Sequence, residues 1–581
     1  VCSRPLFLRV TAMWKVISSK KMSDAWLETG GRLHAVEAPA NPDQVPMRDE
    51  KLALGIQTSA LNPHHKPGLA PCMVVLGVLL SGLQVGLEST HAASTTARAG
   101  VLSADERSTL LQYAKDTWRS FDRLILPSGL PADGLRRDSE GRTTPWMQTS
   151  PTDIAAYLWS VQAAERLHLI GASEARSRLD RTLTTLAGMD RTHGFFVNEL
   201  DPRTGVAFKI SPFDSSPSRL RLSAVDNAWL AVALTMVANA NPSLRKRSQN
   251  LLEAMDFRYF YDPYDAADPV AHPGQLRVGY RTGDHTFYGH YGMLNTEARI
   301  VSYLGIVRGQ LPPEHYYRMF RTLPEGLGSQ GQLPRGETRK YNGVSVFEGS
   351  YNYRGVRIVP SWGGSMFEAM MVTLFVPEDL WAPRSWGINH PLYVRAQIEH
   401  GLKEVGYGYW GFSPAASPQG GYQVYGVKAL GTYGLGYFSH EIGAPVPPHL
   451  PPRASSFAHG VVTPHASFLA LRYAPHEAVA NLRALARAFP IYGPLGFQDS
   501  VDVSAGVVAA SILTLDQGMI MAAIANALAD DAMQHIFSDG QMEQVVRPLI
   551  AQEDFSAGPP GHLVWVQPTL NDSEKHGMEN K

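Results

Sequence analysis

From Ser103 the chain alternates between two kinds of helical segment joined by aromatic, Gly/Pro-rich loops. Ile154 to Leu169 and Ala224 to Val237 are apolar nearly all round, whereas Glu174 to Leu186 and Ser243 to Met255 mix charged with apolar positions. A helix that is apolar on every face must be touched on every side, and an amphipathic helix can cover it from outside. The alternation predicts an all-α protein with an inner and an outer ring of helices. Capping residues signal helix starts at Ser103, Ser150, Ser173, Ser223, Ser243, Thr296, Ser365 and Thr514. Short strands are predicted at Phe195 to Glu199 and Phe208 to Ile210, around the turn Asp201 to Gly205, and again between Tyr341 and Val359.

Candidate chemistry lies where loops run into the apolar helices. In Tyr288 to Gly309 an aromatic, glycine-rich loop leads into a buried segment, with Glu297 expected on its first turn. Four other junctions repeat the pattern, with Asp153 after Ser150, Asp226 after Ser223, Glu368 after Ser365, and Asp516 in Leu515 to Gly518. Ser-x-x-Asp and Ser-x-x-Glu are also capping boxes, in which the acid satisfies a backbone donor, so each junction taken singly has a purely structural reading. If the inner helices run roughly parallel, their N-termini share one rim and the acids converge on one cleft. Paired carboxylates in a cleft suit glycoside hydrolysis, which needs a proton donor for the leaving oxygen and a base or nucleophile. Trp229, Trp362, Trp410, Tyr291 and Tyr422 sit in or beside the same loops and offer flat surfaces to sugar rings.

Composition narrows the partners. A formal net charge of -1 over 581 residues gives no electrostatic case for nucleic acid or anionic membrane, so a neutral oligo- or polysaccharide fits better. The 2 cysteines, Cys2 and Cys72, lie outside the part that reads as folded, which excludes a disulfide framework or Cys-ligated zinc for the main domain. Asp284, His285 and His290 form a loose group without a recognised ligand spacing, and solvent-facing or loop-bracing roles are expected of them. No metal and no cofactor is expected, and a monomer is.

Residues 1–100 lack sustained periodicity and are expected to be disordered. Within them, His64, His65 and Lys66, the run MVVLGVLLSGLQVGL and the small-residue site around Ala92 read together as a signal peptide over about 64–92. That predicts a secreted or periplasmic protein, with no integral membrane segment in the mature chain. The catalytic domain is expected over 101–555, and a flexible tail over 556–581.

The stretches TSPTDIAAYLWS (149–160), HGFFVNELDPRTG (193–205), LSAVDNAWLAVAL (222–234), LNTEARIVSYLGI (294–306), VPSWGGSMFEAMM (359–371), WGFSPAASPQGGYQVYG (410–426) and LTLDQGMIMAAIANAL (513–528) resemble the glucoamylase-like domain family. That family includes endo-β-1,2-glucanases and the central domain of cyclic β-1,2-glucan synthases. The resemblance covers about Ser103 to Asp539 and implies an (α/α)6 barrel, with short β-hairpins in the loops, that cleaves β-glucan, often with inversion. It carries Glu297 onto the family's catalytic or substrate-binding Glu and Asp226 onto the acidic position of a D-x-V-E-T junction, with Asp516 as the preferred partner of Glu297. Asp153, Asn227, Trp229, Tyr291, Arg299, Trp362, Glu368, Trp410 and Tyr422 are the expected substrate-binding residues. Two departures stand out: Ser223 replaces the first acid of that junction, and Pro414 stands where the synthase domains have Glu. The second departure argues against the synthase's transglycosylation arrangement. A transglycosylase and a non-catalytic carbohydrate-binding relative are the alternatives to a hydrolase.

Overall fold

In the computed structural model the chain is described over residues 100–558, apart from 139, 211–216, 325–328, 331 and 434–459. The signal-peptide stretch and both cysteines lie outside the described residues.

The described helices follow the hydrophobic pattern. In order they are α1 (Ala104–Leu124), α2 (Pro151–Arg166), α3 (Ala172–Gly188), α4 (Ala224–Ala240), α5 (Arg245–Glu253), α6 (Arg299–Val307), α7 (Glu314–Arg318) and α8 (Met366–Met370). The chain continues through α9 (Glu378–Trp381), α10 (Trp386–Glu399), α11 (Pro464–Leu469), α12 (Pro475–Ala488), α13 (Thr514–Leu528), α14 (Ala532–Ser538) and α15 (Gln541–Ile550). Helices α2, α4, α6, α8, α11 and α13 are buried along almost their whole length. They pack in a closed cycle: α2 on α4, α4 on α6, α8 on α11, α11 on α13 and α13 on α2. Arg299 of α6 closes the remaining gap by donating to the carbonyls of Glu368 and Ala369 on α8. Amphipathic helices lie against this cycle, α1 on α13, α3 on α2, α5 on α4, α12 on α11 and α15 on α6.

Caps set several helix starts. Ser103 with Glu106 and Ser150 with Asp153 form reciprocal capping boxes on α1 and α2. Other starts shift from the sequence expectation: α3 begins at Ala172 with Gly171 as its cap, and α5 at Arg245 rather than after Ser243. Helix α6 begins only at Arg299, because Thr296 Oγ1 accepts the Ala298 N–H and holds residues 296–298 in a turn. Glu297 therefore stands two residues before the helix, not on its first turn.

Short antiparallel strands lie over the N-terminal ends of the buried helices. Arg221–Ser223 pairs with Gln275–Arg281 and runs into α4, while Ser511–Leu513 pairs with Gly134–Arg137 and runs into α13. Thr338–Tyr341 with Val344–Phe347, and Tyr351–Tyr353 with Val356–Ile358, form the hairpins expected between Tyr341 and Val359. The strands expected at Phe195 to Glu199 and Phe208 to Ile210 are instead isolated bridges. Their ladder is interrupted because the Phe196 N–H goes to the Asn227 side chain rather than to a neighbouring strand.

The chain after Asp554 is held further than expected. Phe555 packs edge-on against Trp386, the Ser556 carbonyl accepts from Ser350 Oγ, and Gly558 bridges to Arg357. Among the described residues no helix is long and apolar enough to cross a membrane.

Candidate active site

The strand-to-helix junctions bring their acids to one cleft with an empty volume of ≈ 1090 Å³, open solvent included. Glu297, Asp226, Glu368, Asp516 and Asp153 line it together with Tyr291, Trp362 and Tyr422. Asp133, Thr152 and Asn198 line it as well, none of them singled out from the sequence.

Glu297 is fixed at both ends. Its backbone N–H donates to Glu368 Oε2 at 3.1 Å, and its Oε2 accepts the indole N–H of Trp229 at 2.6 Å. Burial pushes its carboxyl well above the ordinary carboxylate range, and the charges of Glu368 and Asp226 push the same way, against the Trp229 hydrogen bond. Burial and the neighbouring acids thus favour the protonated form of Glu297, which lines the cleft.

Asp153 and Asp226 occupy the same helical position and are used differently. Asp153 Oδ2 turns back to the Ser150 backbone N–H and hydroxyl, at 2.9 and 2.7 Å, and completes its capping box. Asp226 receives the Thr152 hydroxyl on Oδ1 and the Asn198 amide on Oδ2, both at 2.5 Å, while Ser223 caps only its backbone.

Asp516, on α13, lies within hydrogen-bonding reach of Asp499, an acid in a loop that no motif marked. Two carboxyl groups can hydrogen-bond only with a proton between them. Burial raises both, Asp499 to about 6 and Asp516 well above its ordinary value, with the neighbouring Asp499 charge adding to the Asp516 shift. The Ala416 N–H also donates to Asp499 Oδ2. Burial lowers His465 to about 3, which keeps it neutral, and its Nδ1 lies 3.5 Å from Asp516 Oδ2. His465, Asp499 and Asp516 bring ligand-type atoms within 4.8 Å of one another.

Trp362 is placed by its glycines. Gly363 and Gly364 follow it at φ 63 and 70, and a Cβ on Gly364 would stand 2.0 Å from the Val427 carbonyl. Only glycine allows that close approach in a left-handed turn.

Four residues expected on the substrate face lie elsewhere. Trp410 is 2% exposed in the main core, its backbone bracketed by Asn481. Asn227 is wholly buried and bonds the Phe196 N–H and carbonyl and the Ser223 carbonyl. Arg299 is wholly buried against Glu378. Trp229 is also buried, between Trp159 and Phe375, and reaches the cleft only through Glu297. Their motifs lie at the junctions, but helical periodicity turns Asn227, Trp229 and Arg299 away from the opening, and Asn481 holds the Trp410 loop against the core. Asp284, His285 and His290 do not converge: Asp284 accepts from Thr286, His285 meets the Tyr280 hydroxyl, and His290 meets Asp262.

With this geometry in place, residues 338–541 match the family model Glycoamylase, described as "Putative glucoamylase", and residues 112–262 match a protein of unknown function (DUF3131). A curated relative, the cyclic beta-(1,2)-glucan synthase NdvB of Rhizobium meliloti (strain 1021), is 28% identical over 329 residues. That alignment covers 53% of this chain but only 9% of the synthase, so the chain matches a small part of its relative's length. Among solved structures, the endo-beta-1,2-glucanase from Chitinophaga pinensis, in complex with sophorotriose and glucose, superposes with a TM-score of 0.54 at 16% identity, covering 78% of this chain and 98% of that one. The beta-1,2-glucanase from Parabacteroides distasonis gives 0.56 at 15% identity, covering 77% and 60%. The endo-beta-1,2-glucanase from Talaromyces funiculosus, in complex with sophorose, gives 0.56 at 12%, covering 78% and 91%. The resemblance to the glucoamylase-like family thus recurs in a family model, a curated relative and solved structures, and the overall fold is that of those structures.

Proposed function

We propose that this chain is a glycoside hydrolase that cleaves a β-glucan, β-1,2-linked, with inversion, in a cleft at one end of an (α/α)6 barrel. The six buried helices are read as its inner ring and residues 101–555 as the catalytic domain. The observation that carries the reading is Glu297, a buried carboxyl raised above its ordinary range in an aromatic-lined cleft that Asp516 also lines. The likeness to solved β-1,2-glucanases supports the substrate class. The reading of residues 64–92 as a signal peptide supports a secreted or periplasmic location.

In the proposed reaction Glu297 gives its proton to the glycosidic oxygen as the bond from the anomeric carbon breaks. Water attacks that carbon from the opposite face, which is the inverting arrangement of acid and base. The water's proton passes to Asp516 as the proton already shared with Asp499 moves onto Asp499. Asp226, held by Thr152 and Asn198, is the alternative acceptor. Trp362, Tyr291 and Tyr422 provide ring faces for the sugar.

The test is reducing-sugar release from linear β-1,2-glucan beside β-1,3- and β-1,4-glucans, for wild type and Glu297→Gln. The variant is expected to lose about 10²-fold or more in kcat, the scale of general acid–base catalysis, with its fold intact. Turnover close to wild type would refute the assignment. Products longer than the substrate would identify a transglycosylase, and binding without release a carbohydrate-binding relative.

A further inference from the structure

We infer that Trp229 is a positioning residue that dictates which oxygen of Glu297 delivers the proton. The inference rests on the reading of Glu297 as the acid. The indole N–H has a single donor and no acceptor. It meets Oε2 of Glu297 at 2.6 Å, so that oxygen must accept. In a neutral carboxyl the carbonyl oxygen is the better acceptor, which makes Oε2 the carbonyl and leaves the proton on Oε1. The Glu297 backbone is anchored as well, through its N–H to Glu368 Oε2, so the carboxyl is constrained from both sides.

The indole itself has little freedom. Trp229 is wholly buried, packs edge-on to Trp159 with centroids 6.1 Å apart and lies 5.7 Å from the ring of Phe375. Trp159 is tied in turn by its own N–H to the Gly518 carbonyl on α13 at 2.9 Å. The direction of the donor is therefore set by aromatic packing inside the helix cycle. As the proton leaves Oε1, charge develops on the carboxylate, and the Trp229 bond becomes charge-assisted and stronger. The indole thus stabilises the product form of the acid, so its donor acts on the chemical step and not on sugar binding.

Trp229→Phe removes the donor and keeps an aromatic ring. A second variant carrying 3-benzothienylalanine at 229 replaces N–H by sulfur in the same bicyclic outline and decides the matter if the Phe variant folds poorly. Both are assayed on β-1,2-glucan and on a 4-nitrophenyl β-1,2-gluco-oligosaccharide, whose leaving group needs little protonation. The expected result is a kcat lower by about tenfold or more on the glucan, a clearly smaller loss on the nitrophenyl substrate, and an alkaline limb of the pH profile moved upward. KM should change little. Equal losses on both substrates, or none, with an unmoved alkaline limb would overturn the proposal and leave Trp229 as core packing. Glu297→Gln is assayed alongside. If it turns over glucan at the wild-type rate, the acid assignment fails and takes this inference with it. If it is inactive while the Trp229 variants show no leaving-group dependence, only the positioning role fails.

Discussion

Arg299 and Glu378 meet in a wholly buried, two-pronged ion pair, Nε to Oε1 at 2.7 Å and Nη2 to Oε2 at 2.9 Å. The same guanidinium donates to the carbonyls of Thr296, Glu368 and Ala369, so it ties the Glu297 turn to the start of α8. Glu378 also accepts from the Tyr303 hydroxyl and meets His390 Nε2. The pair is a brace beneath the acids, not part of the sugar site.

Arg299→Met should leave Glu378 buried and uncompensated, at a cost of about 3–5 kcal/mol in chemical denaturation. Burial alone would raise the Glu378 carboxyl, but the Arg299 charge and the hydrogen bonds from His390 and Arg299 outweigh it and bring it down to about 2. A folded value below the unfolded one makes this group stabilising above its ordinary range near 4.5, with the contribution lost as pH falls from there through about 2. Unfolding measured between pH 5 and pH 2 should therefore show wild type losing stability that Glu378→Gln does not lose.

Activity should follow a bell-shaped pH profile. The Asp499–Asp516 pair must carry a negative charge to accept a proton, and Asp499 is raised to about 6, so the acid limb of kcat/KM is expected near pH 6. Glu297 must stay protonated, and its raised value places the alkaline limb well above the range of an ordinary carboxylic acid. Asp499→Asn removes the acceptor for the relayed proton and should abolish the acid limb along with most turnover. An unchanged limb in that variant would exclude the relay.

Trp362 and Trp410 share a Trp-Gly sequence and should respond in opposite ways. Trp362 lines the cleft, so Trp362→Ala should raise KM for oligosaccharide several-fold, consistent with about 1 kcal/mol for a lost stacking face. Trp410 lies in the core at 2% exposure, so Trp410→Ala should cost about 3–5 kcal/mol of stability and leave KM nearly unchanged in the folded fraction. Parallel thermal melts and initial rates separate the two.

Asp133, Asp153, Asp226, Glu297, Glu368 and Asp516 all line the cleft, and no Lys, Arg or His is among its described lining residues. Anionic substituents on the glucan should therefore be rejected, since like charges brought together in a partly desolvated site are costly. A succinylated glucan is expected to show kcat/KM about tenfold or more below the neutral chain at low salt, with the gap narrowing as salt screens it. Equal rates at low salt would mean that substituents lie outside the cleft.

The sequence by itself determined what is written within a few turns of chain. The apolar periodicity of α2 and α4, the amphipathic pattern of α3 and α5, and the Ser150–Asp153 capping box are local, because hydrophobic period and capping depend on neighbours three or four residues away. The junction acids were legible for the same reason, as one acid in each of several loop-to-helix steps. What each acid does was decided only by the tertiary structure. Asp153 and Asp226 have matching local sequences, yet Asp153 turns to its own cap, while Asp226 is met by Thr152 and by Asn198, which lies on a separate loop. Asp499 carries no local signal, and it matters only because the fold brings it to Asp516 in an interior where neither can ionise freely. Trp229, Arg299 and Trp410 look like binding residues when read along the chain. Their partners, Glu297, Glu378 and Asn481, are 68, 79 and 71 residues away, and only the closed cycle of helices determines that these side chains point into the protein.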